Sequence, residues 1–177
     1  MTIKSQILLI GLFLSFSLSC NDKEYDEFEF SYGNTFETDF CIRFTRNDSV
    51  YIRENWSRND INEKSAYPKS QTNYTAILTK VQKEKLNKIL SDIDFQKFNS
   101  AYYEKYEDGD QYRIYFKKKK FEKKIYVHSD NTPEQLDSLA YWIVDVKRKL
   151  KLKKTNKNLN FEHTVYSKPP PPPPLSN

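Results

Sequence analysis

The feature that most constrains the fold is a stretch of alternating residues at positions 111–128 (QYRIYFKKKKFEKKIYVH). Apolar side chains alternate with polar ones on both sides of a run of lysines, which is the pattern of two half-buried strands. With Lys118 and Lys119 at the turn, Phe116 would face Phe121 on one side of the hairpin. The chain is therefore expected to build an antiparallel sheet around this hairpin.

Two stretches have the period of amphipathic helices, and each begins with a T-x-x-Q sequence. In the first, Thr79 should cap the helix and Gln82 should complete a capping box. In the second, Thr132 is the expected cap and Pro133 the first helical residue. The residues expected to face the core are Leu86, Ile89, Leu90 and Ile93 in the first helix, and Leu136, Leu139, Ala140, Ile143, Val146 and Leu150 in the second.

Three shorter segments of β-type composition, at residues 40–44, 50–55 and 74–78, precede the first helix. Together these patterns predict an α+β fold. Its antiparallel sheet would have four to five strands, from two hairpins plus a short strand, with two amphipathic helices packed on one face. The predicted domain is residues 37–150, which is long enough for one core that the 15% aromatic content can fill.

The first twenty residues have the composition of an export signal. Lys4 precedes an apolar run at 7–18, and Ser19 and Cys20 follow it. The run is shorter than the roughly 20 residues that a membrane-spanning helix needs, and it ends in small residues. Residues 1–19 are therefore predicted to be a cleaved signal peptide.

The end of this run, Phe16-Ser17-Leu18-Ser19-Cys20, resembles the lipobox of bacterial lipoproteins. The resemblance implies that Cys20 becomes the lipidated N-terminus. It also implies that the protein is anchored in the cell envelope, in the outer membrane on its periplasmic or surface-exposed face. Cleavage by ordinary signal peptidase would instead give a soluble secreted protein.

Cys41 is the second of two cysteines. Lipidation of Cys20 would leave it as a single thiol in an oxidising compartment, so it is expected to be buried and inert between Phe40 and Ile42. A disulfide between Cys20 and Cys41 is the alternative.

Two terminal segments differ from the domain in composition. Residues 20–36 are acid-rich and are predicted to form a tether after Cys20; such a stretch resembles the surface-export signals of some Gram-negative lipoproteins. Residues 151–177 are basic and then Pro-rich, with six prolines at 169–174, and are predicted to be a disordered tail. The formal charge of +5 is thus segregated along the chain.

The order of elements, with the lipobox in front, resembles a family of small uncharacterised α+β (ββαββα-like) envelope-lipoprotein domains over residues 37–150. The resemblance implies a fold and a location, and it implies no activity.

Catalytic and metal-binding motifs are missing from the sequence, and no cofactor, metal ligand or catalytic residue is predicted. His128 stands beside Ser129 and Asp130, where a turn is a better interpretation than a catalytic triad. His163 has no companions for a metal site.

The leading hypothesis is a non-catalytic binding or interaction module for an envelope protein or glycan. The alternatives are an anionic glycan, lipopolysaccharide or lipid surface binder that uses the Lys-rich hairpin and last helix, or an unrecognised envelope enzyme. Export argues against nucleic acid as a partner. The expected interaction surface comprises Tyr102, Tyr103, Tyr106, Lys117, Lys118, Lys119 and Lys120. For the hairpin lysines, protection of a sheet edge is the competing interpretation.

Overall fold

Eight strands and two helices make up the part of the chain that the structure describes, residues 24–34, 39–55, 71–105 and 109–164 of a computed structural model. The strands are β1 (Glu27–Gly33), β2 (Asp39–Phe44), β3 (Ser49–Asn55), β4 (Gln71–Ile77), β5 (Ala101–Tyr103), β6 (Gln111–Lys118), β7 (Phe121–His128) and β8 (Lys153–Lys154). The helices are α1 (Lys80–Asp92) and α2 (Glu134–Lys149), and a short 3-10 turn spans Phe95–Lys97. The predicted α+β class is confirmed.

The strands form one sheet in the order β5-β7-β6-β1-β2-β3-β4-β8. Neighbouring strands are antiparallel except β5 and β7, which are parallel, so the sheet is mixed. The prediction of four to five antiparallel strands understated this sheet, because β1 and β8 come from stretches expected to be a tether and a tail, and the short parallel strand β5 was not predicted.

β1 is a central strand, although it lies within residues 20–36. Phe28, Phe30 and Tyr32 alternate onto one face and are buried, while Glu29 and Ser31 are buried on the other face. Acidic residues between the aromatic ones concealed this period-2 pattern. The domain therefore begins before residue 37, and the predicted tether is corrected accordingly.

The β6–β7 hairpin is confirmed, but its turn is one residue further along than predicted. Lys118 pairs with Phe121, so Lys119 and Lys120 form the turn, and Lys119 has a left-handed φ of 55°. Phe116 lies opposite Lys123 instead of Phe121. The change preserves parity, since the apolar side chains of both strands still share one face.

Lys119 and Asp48, which lies in the turn between β2 and β3 and has a φ of 67°, both adopt the left-handed backbone conformation. These are the two non-glycine residues with positive φ in the described part of the chain. Short polar or flexible side chains tolerate this conformation in tight turns, so both hairpins close without glycine.

Both helices form where the apolar period predicted them. The capping box of α1 is confirmed, because Thr79 accepts a hydrogen bond from the backbone N–H of Gln82, whose side chain accepts one from the N–H of Thr79. For α2 the predicted cap is wrong: Pro133 is the cap residue and has no side-chain cap hydrogen bond. Thr132 instead donates to the carbonyl of Ser129 at 2.9 Å, which stabilises the preceding turn.

The two faces of the sheet are covered differently. Both helices pack on the face that carries Phe28 and Phe30, and one core joins them to it. The other face is crossed by residues 155–164, called here the C-terminal strap, in which Leu159 and Phe161 are buried against Cys41. The predicted disordered tail therefore contains an ordered part up to residue 164, and residues 169–174 lie outside the described residues.

Candidate functional site

The predicted tyrosine surface is divided by the sheet. Tyr102 and Tyr103 are neighbours in β5, so their side chains point to opposite faces. Tyr102 packs against the core under the helices, whereas Tyr103 stacks on Tyr126 on the strap side, with ring centroids 6.4 Å apart. These two residues do not form one flat patch. Tyr106 and Cys20 lie outside the described residues.

The lysines of the β6–β7 hairpin are placed beside the acid-rich N-terminal stretch. The ammonium of Lys117 lies 2.9 Å from Glu27, and that of Lys118 lies 2.6 Å from Glu24. The hydrogen bond that the Lys117 ammonium donates to Glu27 raises the pKa of Lys117. Two of the four predicted lysines thus have intramolecular partners, whereas the side chains of Lys119 and Lys120 are exposed.

Asp26 extends this pairing to the backbone of the turn. It accepts a hydrogen bond of 2.6 Å from the N–H of Lys119 and forms an ion pair with Arg46. The backbone hydrogen bond, followed by the Arg46 guanidinium, lowers the pKa of this carboxyl. The carboxylates that the sequence assigned to a tether therefore fix the end of the hairpin.

His128 ends β7, and Ser129 and Asp130 follow it in the connection to α2, so the expected turn begins one residue after His128. Ser129 donates its hydroxyl hydrogen to Glu104 at 2.9 Å, and the same carboxylate accepts the backbone N–H of Asp130 at 2.8 Å. Asn131 donates to its other oxygen at 2.6 Å. Glu104 thus uses the serine hydroxyl to hold the β7–α2 connection.

A groove lies at the β4 edge of the sheet and is called here the edge groove. β8 pairs with β4 only at Tyr74 and Thr75, and the groove opens beyond that ladder, with a volume of about 680 Å³. This size falls in the range of small-molecule sites. Its apolar lining includes Tyr51, Ala76, Ile77 and Leu150, and its cationic lining comprises Lys149, Lys151, Lys153 and Lys157.

The electrostatics of the edge groove are one-sided. All of its charged lining residues are lysines, and Lys149 alone among them forms a described ion pair, with Asp145 at 2.6 Å. An anionic group would therefore meet cations without displacing a lining carboxylate. The polar lining residues Thr79 and Gln82 are already engaged in the α1 capping box.

Sequence reasoning missed the edge groove because no local pattern encodes it. Its lining comes from β3, β4, the start of α1, the end of α2 and the segment that contains β8. The one available signal was the group of lysines at the end of the last helix, which was explained by the helix dipole.

A smaller cleft of about 180 Å³ lies at the opposite end of the strands and contains three aspartates, Asp110, Asp130 and Asp137. Tyr32 donates to Asp110 and Tyr112 donates to Asp137, each at 2.7 Å. Burial, followed by the hydrogen bond to Asp137, raises the pKa of Tyr112. Within the described residues no group of histidine, cysteine, aspartate and glutamate side chains has an arrangement that could hold a metal ion.

The strap face contains a buried carboxylate and a buried thiol. Glu29 lies 3.7 Å from the Arg43 guanidinium and accepts hydrogen bonds from the N–H of His163 and the hydroxyl of Thr164. Burial raises the pKa of Glu29, and Arg43 opposes that shift.

Burial also raises the pKa of Cys41 to about 11, so its thiol stays protonated and unreactive.

The predicted burial of Cys41 is thereby confirmed, and it is a free thiol in the described part of the chain. The alternative partner, Cys20, lies outside that part. None of the helices among the described residues combines the length and the apolar character needed to cross a bilayer.

Comparison with known proteins adds no family to these observations. A scan against protein-family models found no match, and no curated protein sequence matches the chain. The edge groove is the candidate site because of its volume and its lysine-containing lining.

Proposed function

We propose that this protein is an exported envelope lipoprotein, anchored by lipid at Cys20, whose domain is a non-catalytic binding module that uses the edge groove. The location is supported by the signal-like residues 1–19 and the lipobox-like sequence that ends at Cys20. The binding role is supported by one observation above all, the apolar groove whose charged lining residues are all lysines.

The lining favours a ligand with an anionic group and an apolar part. Ile77 is 74% exposed at the end of β4, and a bound apolar chain would cover it. Lys151 and Lys153 are exposed and could reach an anionic head group. An anionic amphiphile, such as an acyl chain with a carboxylate or phosphate, matches both properties.

The predicted alternative, an anionic-surface binder built on the Lys-rich hairpin and last helix, is changed by the contacts. Lys117 and Lys118 are paired with carboxylates of their own chain. Lys149 at the end of α2, and Lys151, Lys153 and Lys157 beyond it, line the edge groove instead. The groove is therefore a better candidate for recognition of an anion than the hairpin.

The test is a fluorescence titration of the mature protein with a long-chain fatty acid probe. Lys151→Glu should weaken binding about tenfold, which corresponds to about 1.4 kcal/mol, because it replaces a lining cation by a repelling carboxylate. Ile77→Asp should weaken it through the apolar lining. Lys105→Glu is the matched control, since this exposed lysine lies outside the groove.

Three results would contradict the proposal. Equal losses for Lys151→Glu and Lys105→Glu would show that only net charge matters. Equal binding of the corresponding fatty alcohol would show that the lysines recognise no anion. Recovery of a chemically altered probe would refute the non-catalytic part and favour the enzyme alternative.

A further inference from the structure

We infer that the end of the sheet that carries the Lys119-Lys120 turn faces the membrane, in contact with anionic lipid head groups. The inference rests on the proposed lipid anchor at Cys20. Glu24 is the first described residue and is already fixed to the domain by its 2.6 Å contact with Lys118. Glu24 is four positions after Cys20, so their Cα atoms are at most about 14 Å apart. An anchor so close to the domain leaves little freedom of orientation.

Strand pairing determines which other residues share this end. Glu27 at the start of β1 lies opposite Lys117, and Phe28 lies opposite Phe44 at the end of β2. At the start of β3, Ser49 lies opposite Ile77 at the end of β4. The turns after β2, β4 and β6 are therefore all at the anchored end.

The surface at this end combines cations with exposed aliphatic residues. Lys119 and Lys120 lie on one side, and Lys80, whose ammonium is 3.8 Å from the exposed Glu84 carboxylate, lies where α1 starts after β4. Ile77 and Val81 are each 74% exposed there. Cations that contact lipid phosphates and aliphatic side chains at the depth of the head groups are the two components of an interfacial membrane contact.

The carboxylates at the anchored end are paired and so repel phosphate less. Asp26 holds Arg46 and the turn backbone, and Asp48 lies 2.9 Å from the Lys83 ammonium. The opposite end of the strands carries the cleft with Asp110, Asp130 and Asp137. Lys119 and Lys120, which are exposed at the anchored end, therefore favour its approach to an anionic bilayer, whereas the three aspartates of the cleft oppose approach of the other end.

The experiment is lysine footprinting of the full-length lipidated protein on vesicles of phosphatidylethanolamine and phosphatidylglycerol. A water-soluble acetylating reagent is applied, and the modification rate of each lysine is read by mass spectrometry. Lys80, Lys119 and Lys120 should react severalfold more slowly than in the soluble Cys20→Ser protein. Lys105, which follows β5 at the opposite end, should react at an unchanged rate and serves as the internal control.

A second variant carries a flexible Gly-Ser spacer after Cys20 and leaves the surface residues of the domain unchanged. In this variant Lys80, Lys119 and Lys120 should be acetylated faster than in the wild-type protein on vesicles. The orientation would be contradicted if the vesicle-bound protein showed slower acetylation of Lys105, or unchanged acetylation of Lys119 and Lys120. Either result would still be compatible with the lipid anchor. Failure of the wild-type protein to bind vesicles would overturn the anchor, and the inference with it.

Discussion

The ammonium of Lys118 lies 2.6 Å from the carboxylate of Glu24, although 94 residues separate them along the chain. The contact joins the acidic stretch after Cys20 to the basic hairpin, so charges that are segregated in the sequence meet in space. Both side chains are about a third exposed or more, and such surface pairs contribute at most about 1 kcal/mol. The main value of the pair is that it fixes to the domain the chain that follows the proposed anchor at Cys20.

The first prediction concerns that anchor. Cys20→Ser should move the protein from the membrane fraction to the soluble fraction, because it removes the thiol that would carry the acyl chains. Fractionation followed by immunoblotting measures the distribution, and Cys41→Ser is the control because Cys41 is buried in the domain. Membrane recovery of the Cys20→Ser protein at the wild-type level would contradict the lipid anchor.

The second prediction tests β1 as a core strand. Phe30→Ala should lower the free energy of unfolding by about 3 to 5 kcal/mol, because Phe30 is 0% exposed and its ring packs near Phe40 and Tyr112. Urea denaturation measures the change. Glu24→Ala should cost about 1 kcal/mol or less. Similar small effects for both variants would show that residues 27–33 behave as a tether.

Sequence patterns predicted the elements that have one buried face. The α1 and α2 stripes and the β6–β7 hairpin are confirmed because apolar residues recur there at the helical or strand period. β1 was not predicted because it is buried on both faces and still carries Glu29, an acidic residue. Burial of this carboxylate is compensated by the Arg43 guanidinium and by hydrogen bonds from the strap. The edge groove was not predicted because its lining residues come from segments that are far apart in the sequence.

The third prediction tests the C-terminal strap. Phe161 is 1% exposed, and its ring lies 5.6 Å from the Arg43 guanidinium and 5.3 Å from that of Arg53. Phe161→Ala should destabilise the domain by about 3 to 5 kcal/mol through lost burial and cation–π contact. It should also speed hydrogen exchange on the strap face. Glu162→Ala changes an exposed neighbour and should have little effect, so equal effects of the two variants would argue against a packed strap.

The last prediction is a pH dependence that originates at Asp39, the first residue of β2. Burial raises its pKa from 3.8 to about 6, so the folded protein binds this proton more tightly than the unfolded chain does. Protonation of Asp39 therefore favours folding, and its contribution to stability should decline as the pH rises between 3.8 and about 6. Above that range the buried, ionised carboxylate lowers the free energy of unfolding by an amount that no longer changes with pH.

Asp39→Asn removes the charge and should make the domain more stable than wild type above pH 6, with a smaller difference below pH 3.8. Urea midpoints of both proteins across this range measure the effect, and the difference between them cancels the other titrating groups. Asp145→Asn is the matched control, because Asp145 is exposed on α2. A difference that is independent of pH, or that grows as the pH falls, would show that burial of Asp39 does not penalise its ionised form.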